Sequence, residues 1–355
     1  MIIKIKILLF LFIASFVFTS CNKSITKDKK YGGTLKINAS DVPETIFPGQ
    51  VLKLSEQLII NHVYVGLLKY NPRNIEITSS LAKKWRVEKD ETLYTFYLHG
   101  DAVFQKDKCF KNSQKTRKIT AADVKYSIEQ IAHFHVNLKH EISSQLKNIQ
   151  GADSLLNLSF QNKTVHINGI NVINDTTIVF KLKKPDPLFV HFLTSTNALV
   201  FPKEAFEAYG FKSTVGSGAY CFKNPDVFGH AITLTANPDF FMKNNQGLKL
   251  PFIDTIIISF ITSPPKELMM FENGALDMVV GVNNNYVSDF LDKHIDEFQS
   301  NPPYYVMKEF TAPDNMNKYN FLRSNIKNIY INSIGYFDFT ETYFEEPQPQ
   351  MITMN

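Results

Sequence analysis

Gly216-Ser217-Gly218-Ala219-Tyr220 is a stretch whose residue types invite chemistry. Two glycines two positions apart permit positive φ and close approach of backbone to another group. A phosphate cradle is one use of such a loop. This one lacks the Lys-Ser/Thr of a P-loop and does not fit G-x-G-x-x-G, so phosphate binding is rejected. His133, His135 and His140 could ligate a metal, since imidazole is a common ligand. However, residues i and i+2 lie on opposite sides of a helix. No acidic or Cys partner stands at ligand spacing either, which leaves three histidines near a helix end. Cys109 and Cys221 could pair in an oxidising compartment, but one widely separated pair reads more simply as two free thiols. H-E-x-x-H, G-x-S-x-G and CxxC patterns are missing. No catalytic constellation results, and no cofactor or metal is called for.

The remaining cysteine, Cys21, has a different setting. Lys4 and Lys6 precede an apolar run of twelve, Ile7 to Phe18, interrupted only by Ala14 and Ser15. A membrane-spanning helix needs roughly 20 apolar residues, so this run has the length of a signal-peptide core. It ends in Phe18-Thr19-Ser20-Cys21, which resembles the bacterial lipobox, with Phe18 where Leu is usual. That resemblance implies cleavage before Cys21 and acylation of its thiol. Several acyl chains on one residue would hold the chain firmly to a lipid bilayer. Residues 1–20 are thus expected to be a lipoprotein signal and 21–30 a lysine-rich tether.

Elements must position whatever site the chain has. Its 355 residues suit about two domains at roughly 150 each. Hydrophobic content of 44% is ample for a core, and a net charge of +4 gives no reason to propose nucleic acid as a partner. Residues 92–99 alternate on a period of two: Leu93, Thr95 and Tyr97 on one side, Tyr94, Phe96 and Leu98 on the other. This predicts a strand with both faces at least half buried. Gly100-Asp101 marks a turn. Thr120, with Asp123 three residues on, predicts a capped helix start. Ala121, Val124, Ile128, Ile131 and Ala132 continue it at helical spacing. Thr177–Leu182 and Ile253–Phe260 read as further strands.

Three of these blocks stand in a telling order: Leu81-Ala82 with Trp85, Tyr94-Thr95-Phe96 through Phe104, and Thr120-Ala121-Ala122-Asp123-Val124 through Ser127. Together they resemble the extracellular substrate-binding proteins that feed oligopeptide and dipeptide ABC importers. Gly216–Tyr220 resembles that family's G-T-G-P-Y turn, and Gly274-Ala275-Leu276-Asp277-Met278 resembles its G-e-i-D-i crossing. The resemblance runs from Tyr31 to Met278. It implies an α/β fold like the type II periplasmic binding proteins, with two mixed-sheet lobes built from discontinuous segments. One lobe would hold 31–68 and 185–280, the other 69–184. Leu35 would then lie beside strands near Ile232 and Ile256. The helix from Leu54 is expected to run on toward Leu68.

The resemblance also implies a function: capture of a peptide, or a related small solute, for an ABC permease on the periplasmic side of a bacterial membrane. It implies no enzyme. Val51, Leu52 and Lys53 stand where family members line the cleft. With Ser217, Gly218, Ala219 and Tyr220 they are the candidate ligand-binding residues. The competing reading, an exported lipoprotein hydrolase, has no motif behind it. A non-functional fragment of a binding protein is the third possibility. From about residue 281 the resemblance weakens, and after Arg323 nothing matches. Residues 281–355 are therefore expected to cross into an incomplete third lobe and end in a tail. The third-lobe acid that anchors a peptide's amino terminus in the family has no counterpart here. On that ground residues 22–355 alone are expected to bind peptides weakly or not at all.

Overall fold

The computed structural model of the chain describes residues 30–137, 144–152, 166–223, 231–311, 317–330, 332 and 334–345. Cys21, the tether up to Lys29, His140 and the final ten residues lie outside that set.

The first sheet begins with strand Thr34–Ala39, whose alternate residues Leu35, Ile37 and Ala39 are buried. It pairs in parallel with Thr255–Phe260, matching Leu35 to Ile256 and Ile37 to Ile258. Ala231–Ala236 joins antiparallel on the other side, and Tyr220–Phe222 completes the sheet. Residues near both ends of a 220-residue span therefore share one layer. The isoleucine run Ile256–Ile258 supplies β-branched side chains that suit a pleated, packed surface.

The second sheet has the order Ala82–Glu88, Leu93–Leu98, Thr177–Lys181, Ile170–Asn174, all antiparallel. In its strand Leu93–Leu98 the side chains of Tyr94, Phe96 and Leu98 are buried, and those of Leu93, Thr95 and Tyr97 are half-buried. The helix Ala121–Asn137 follows. Its start is fixed by Asp123, which accepts from the Thr120 N–H at 2.8 Å and from Arg117 through both oxygens.

A third body follows residue 277. Strands Met278–Val282, Asn317–Arg323 and Tyr305–Thr311 form an antiparallel sheet. Helices Asn284–Lys293 and Ile295–Gln299 cover it. The break falls at His294, whose ring lies within reach of Glu272 and Glu297. This body has its own aromatic core of Phe271, Phe290, Tyr305 and Phe321.

Two sequence expectations change. The helix from Leu54 stops at Val63, because Val65 and Gly66 extend to pair with Val200 and Leu199. After Arg323, where the sequence offered no recognisable element, the described residues of 326–345 are part of the fold. Ile326 and Lys327 pair with Phe344 and Tyr343, and Ile329 and Phe339 are buried in the main core. The Phe252 N–H donates to the Thr340 carbonyl at 3.0 Å, tying this segment to the first sheet.

Candidate functional site

The helix Leu54–Val63 carries the residues that matter for a site. Ser55, Glu56, Ile59, Ile60, His62 and Val63 are buried. Leu54, Gln57, Leu58 and Asn61 recur at i, i+3, i+4 and i+7 and form its open face. A hydrophilic first turn and an apolar inner stripe make this segment helical and orient it.

Glu56 organises the chain in front of the helix. Its Oε1 accepts from the backbone N–H of Glu44 at 2.8 Å and of Thr45 at 3.1 Å. Its Oε2 accepts from the N–H of Leu52 at 2.9 Å and of Lys53 at 3.0 Å. Burial pushes this carboxyl up, but the four donors outweigh it and hold it below the usual carboxylate range. One side chain thus fixes the turn that presents Val51, Leu52 and Lys53. Leu52 is 79% exposed, and Leu54 is 64% exposed. Lys53 is already satisfied: its Nζ lies 2.6 Å from Glu44 and donates to the Val42 carbonyl at 3.0 Å. The hydrogen bond to Glu44 raises its pKa.

The glycine turn sits at the other end of the same helix. A 10-residue helix spans about 15 Å, so the two candidate clusters are not brought together. Ser217, Gly218, Ala219 and Tyr220 are all buried. The Gly218 N–H donates to the Val63 carbonyl at 2.8 Å, and Asn237 caps the Gly218 carbonyl at 2.8 Å. A Cβ on Gly216 would stand 2.0 Å from the Val63 oxygen, and one on Gly218 would stand 2.3 Å from the His62 oxygen. Neither glycine has positive φ, so close approach is what demands them. The Ser217 Oγ and Tyr220 hydroxyl meet no hydrogen-bond partner among the described residues. Burial drives the Tyr220 phenol well above its ordinary pKa.

A groove of about 200 Å³ runs along the open helix face. It is lined by Gln57, Leu58 and Asn61, by Tyr70, by His191 with Thr194–Thr196, and by Ile334–Phe337. The Tyr70 hydroxyl lies 3.1 Å from the His191 Nδ1. No Asp, Glu, Lys or Arg lines it, so beside His191 it offers amide and hydroxyl groups and apolar surface. Sequence reading missed this groove, because a third of its lining residues come from segment 334–337.

That segment is locked from beneath. Asp338 pairs with Lys69 at 2.7 Å in a nearly dry setting. Burial opposes its charge, yet the Lys69 ammonium keeps it far below the usual range. His62 lies alongside, its ring stacked on Phe339 at 5.0 Å. Its Nδ1 is 2.7 Å from the Leu58 carbonyl, which can only accept, so Nδ1 carries the proton. Its Nε2 accepts the Phe339 N–H at 3.2 Å. The bond accepted by Nε2 requires a neutral ring, and burial lowers its pKa accordingly. The alternation of Phe337, Asp338 and Phe339 was the available signal.

The other sequence candidates stay apart. Cys109 and Cys221 are free thiols, each pushed by burial up to about 12. Among the described residues no group of His, Cys, Asp and Glu could hold a metal ion. No described helix is long and apolar enough to cross a membrane.

Mixed α/β sheets built from segments distant in the chain, with a further body after residue 277, have the architecture of the type II periplasmic binding proteins. The family of bacterial extracellular solute-binding proteins, family 5 (middle region), matches residues 76–327, well over half of the chain, and the chain belongs to it. Among curated relatives, the periplasmic oligopeptide-binding protein OppA of Salmonella typhimurium is 26% identical over 294 residues, 78% of this chain and 49% of the relative. The OppA of Escherichia coli is 26% identical over 261 residues, 72% of this chain and 44% of the relative. The chain thus spans about half the length of these relatives. Among solved structures, Haemophilus influenzae OppA in complex with the peptide RPPGFSPFR superposes with a TM-score of 0.63 at 19% identity, over 79% of this chain and 50% of that one. Helicobacter pylori DppA in complex with the peptide STSA gives 0.61 at 20% identity, over 81% and 52%. These likenesses carry the fold.

Proposed function

We propose that this chain is the substrate-binding component of an ABC importer, taking up peptides or a related small solute outside a bacterial inner membrane and passing them to a permease. The carrying observation is the match across residues 76–327 to a family of extracellular solute-binding proteins. The relatives named for oligopeptide binding support the peptide as solute. The Glu56-held turn Val51–Lys53 and the groove beside it form one wall of the site. Neutral polar side chains there suit main-chain amides of a ligand, which tolerates varied side chains. Ser217–Tyr220 serve that wall indirectly, by seating the far end of its helix. Residues 31–68 with 185 to about 280 make one lobe, 69–184 the second, and the rest crosses into a third body. Cys21 anchors the chain to the bilayer through acyl groups.

Titration calorimetry of the purified chain against mixed short peptides tests the assignment. Weak heats that saturate only at high peptide concentration, and that are lost in Asn61→Leu, are expected. No heat with peptides or with other small solutes would defeat the reading. Cys21→Ser should abolish acyl labelling and release the chain from membranes, and a wild-type chain that carries no lipid would refute the anchor.

A further inference from the structure

Residues 104–118 contain Lys106, Lys108, Lys111, Lys115, Arg117 and Lys118 against a single acid, Asp107. That local excess of five exceeds the +4 of the entire chain. The segment is a fixed hairpin-like loop. The Phe104 N–H donates to the Arg117 carbonyl at 3.1 Å, the Asp107 N–H to the Lys115 carbonyl at 2.8 Å, and the Ile119 N–H to the Ala102 carbonyl at 2.9 Å. At its tip the Asn112 side chain bonds both ways to the backbone of Thr116.

The charges divide into two groups. Arg117 is spent on the fold, forked between Asp123 and Glu204 at 2.7 Å each. Lys106 lies 3.6 Å from Asp239. Glu207, the other acid near the loop, is held by Lys203 at 3.5 Å. Lys108, Lys111, Lys115 and Lys118 are all exposed and have no carboxylate partner among the described residues; Lys108 sits over the Tyr209 ring.

We propose that these four lysines form a docking surface for an anionic lipid bilayer. Three observations favour lipid headgroups over a protein face. The free cations are all lysines, compact hydrated point charges that suit a diffuse anionic surface, and the one arginine, whose planar fork suits specific recognition, faces inward. The residues between them, Asn112, Ser113 and Gln114, are small or polar, while Phe110 is buried, so the tip carries no apolar anchor for a protein pocket. The chain's own apolar segment Ile7–Phe18 and the lysine-rich stretch after it call for a membrane close at hand. The attraction acts within about a Debye length, roughly 8–10 Å at ordinary salt, so it would set how the tethered lobes face the membrane. None of this depends on which solute is carried.

The test is cosedimentation of the full chain with vesicles of phosphatidylcholine, with and without phosphatidylglycerol. Both proteins compared carry Cys21→Ser, so acylation does not hold them to every vesicle. One keeps the loop; the other adds Lys108→Gln, Lys111→Gln, Lys115→Gln and Lys118→Gln. The N-terminal segment is common to both, so the difference reports the loop. Removal of the charges is expected to lower the preference for phosphatidylglycerol vesicles roughly fivefold per lysine, and added salt should erase the difference. Unchanged circular dichroism and melting temperature would show that the variant is folded. An equal preference in both proteins overturns the proposal. So does a loss as large on phosphatidylcholine alone, or intact vesicle binding with lost capture of an acidic protein.

Discussion

Glu56 is the residue on which the candidate wall depends. Four backbone N–H groups converge on its carboxylate, and two of them belong to Leu52 and Lys53. Glu56→Gln keeps the shape but replaces one acceptor oxygen with a donor. Two buried N–H groups would then face an NH₂, at a cost of about 1–3 kcal/mol. Urea unfolding is expected to show that loss, and peptide heats should weaken with it. The wild-type effect has a definite pH sign. The folded carboxyl titrates below its unfolded value of about 4.3. Its stabilisation is therefore complete above that value and disappears as pH falls through the folded pKa. His62 acts earlier in the same direction. Its folded pKa is depressed below about 6.5, so the unfolded chain takes the proton first and stability falls as pH drops below that point. A melting temperature that stayed level from pH 7 to pH 5 in the wild type but not in His62→Phe would contradict the neutral-ring assignment.

At the scale of elements, what could be read early was what repeats locally. The strand at Leu93–Leu98 and the helix at Ala121–Asn137 announce themselves by period, and the ordered blocks between them carried the family resemblance and hence the fold class. Helix Leu54–Val63 was read too long, because its stop is imposed by Val200 and Leu199, which no local pattern reveals. The groove was hidden for the same reason: Asp338 meets Lys69 across 269 residues. The glycine turn was noticed by composition, but its role is to let two backbones touch. Gly218→Ala is the corresponding prediction. Its methyl would overlap the His62 carbonyl, and overpacking of this kind costs about 1–3 kcal/mol or more. A fall in melting temperature of several degrees is expected; an unaltered melt would mean that the helix end gives way freely.

For the whole molecule, the decisive joint is where the third body leaves the first sheet. Asp277 and Arg323 run side by side there, the Arg323 N–H donating to the Asp277 carbonyl at 3.2 Å. The Asp277 Oδ2 accepts the Lys36 N–H at 2.7 Å. The Arg323 guanidinium is buried between the Phe271 and Leu276 carbonyls and the Tyr304 hydroxyl. Removing it takes one of two cations, with Lys36, from beside Asp277 and leaves the Phe271 and Leu276 carbonyls without this donor, at a cost of about 1–3 kcal/mol. In Arg323→Leu, amides of 305–311 and 317–323 should exchange faster while those of 93–98 and 177–181 hold their wild-type rates. A uniform change across both sheets would show that this joint is not a separate point of weakness.

The contact between Lys36 and Asp277 spans 241 residues, and the parallel partner of the first strand begins only at Thr255. A nascent chain therefore carries Leu35, Ile37 and their unpaired ladder groups through most of its synthesis with nothing to bind them. Pairings this remote must close a long loop before any contact rewards it, so they form slowly. On the export proposed above, the delay has a use. Until the second half of the chain arrives the first lobe stays open, and an open chain is the one that can be threaded through a membrane. The same interval exposes a strand edge to aggregation.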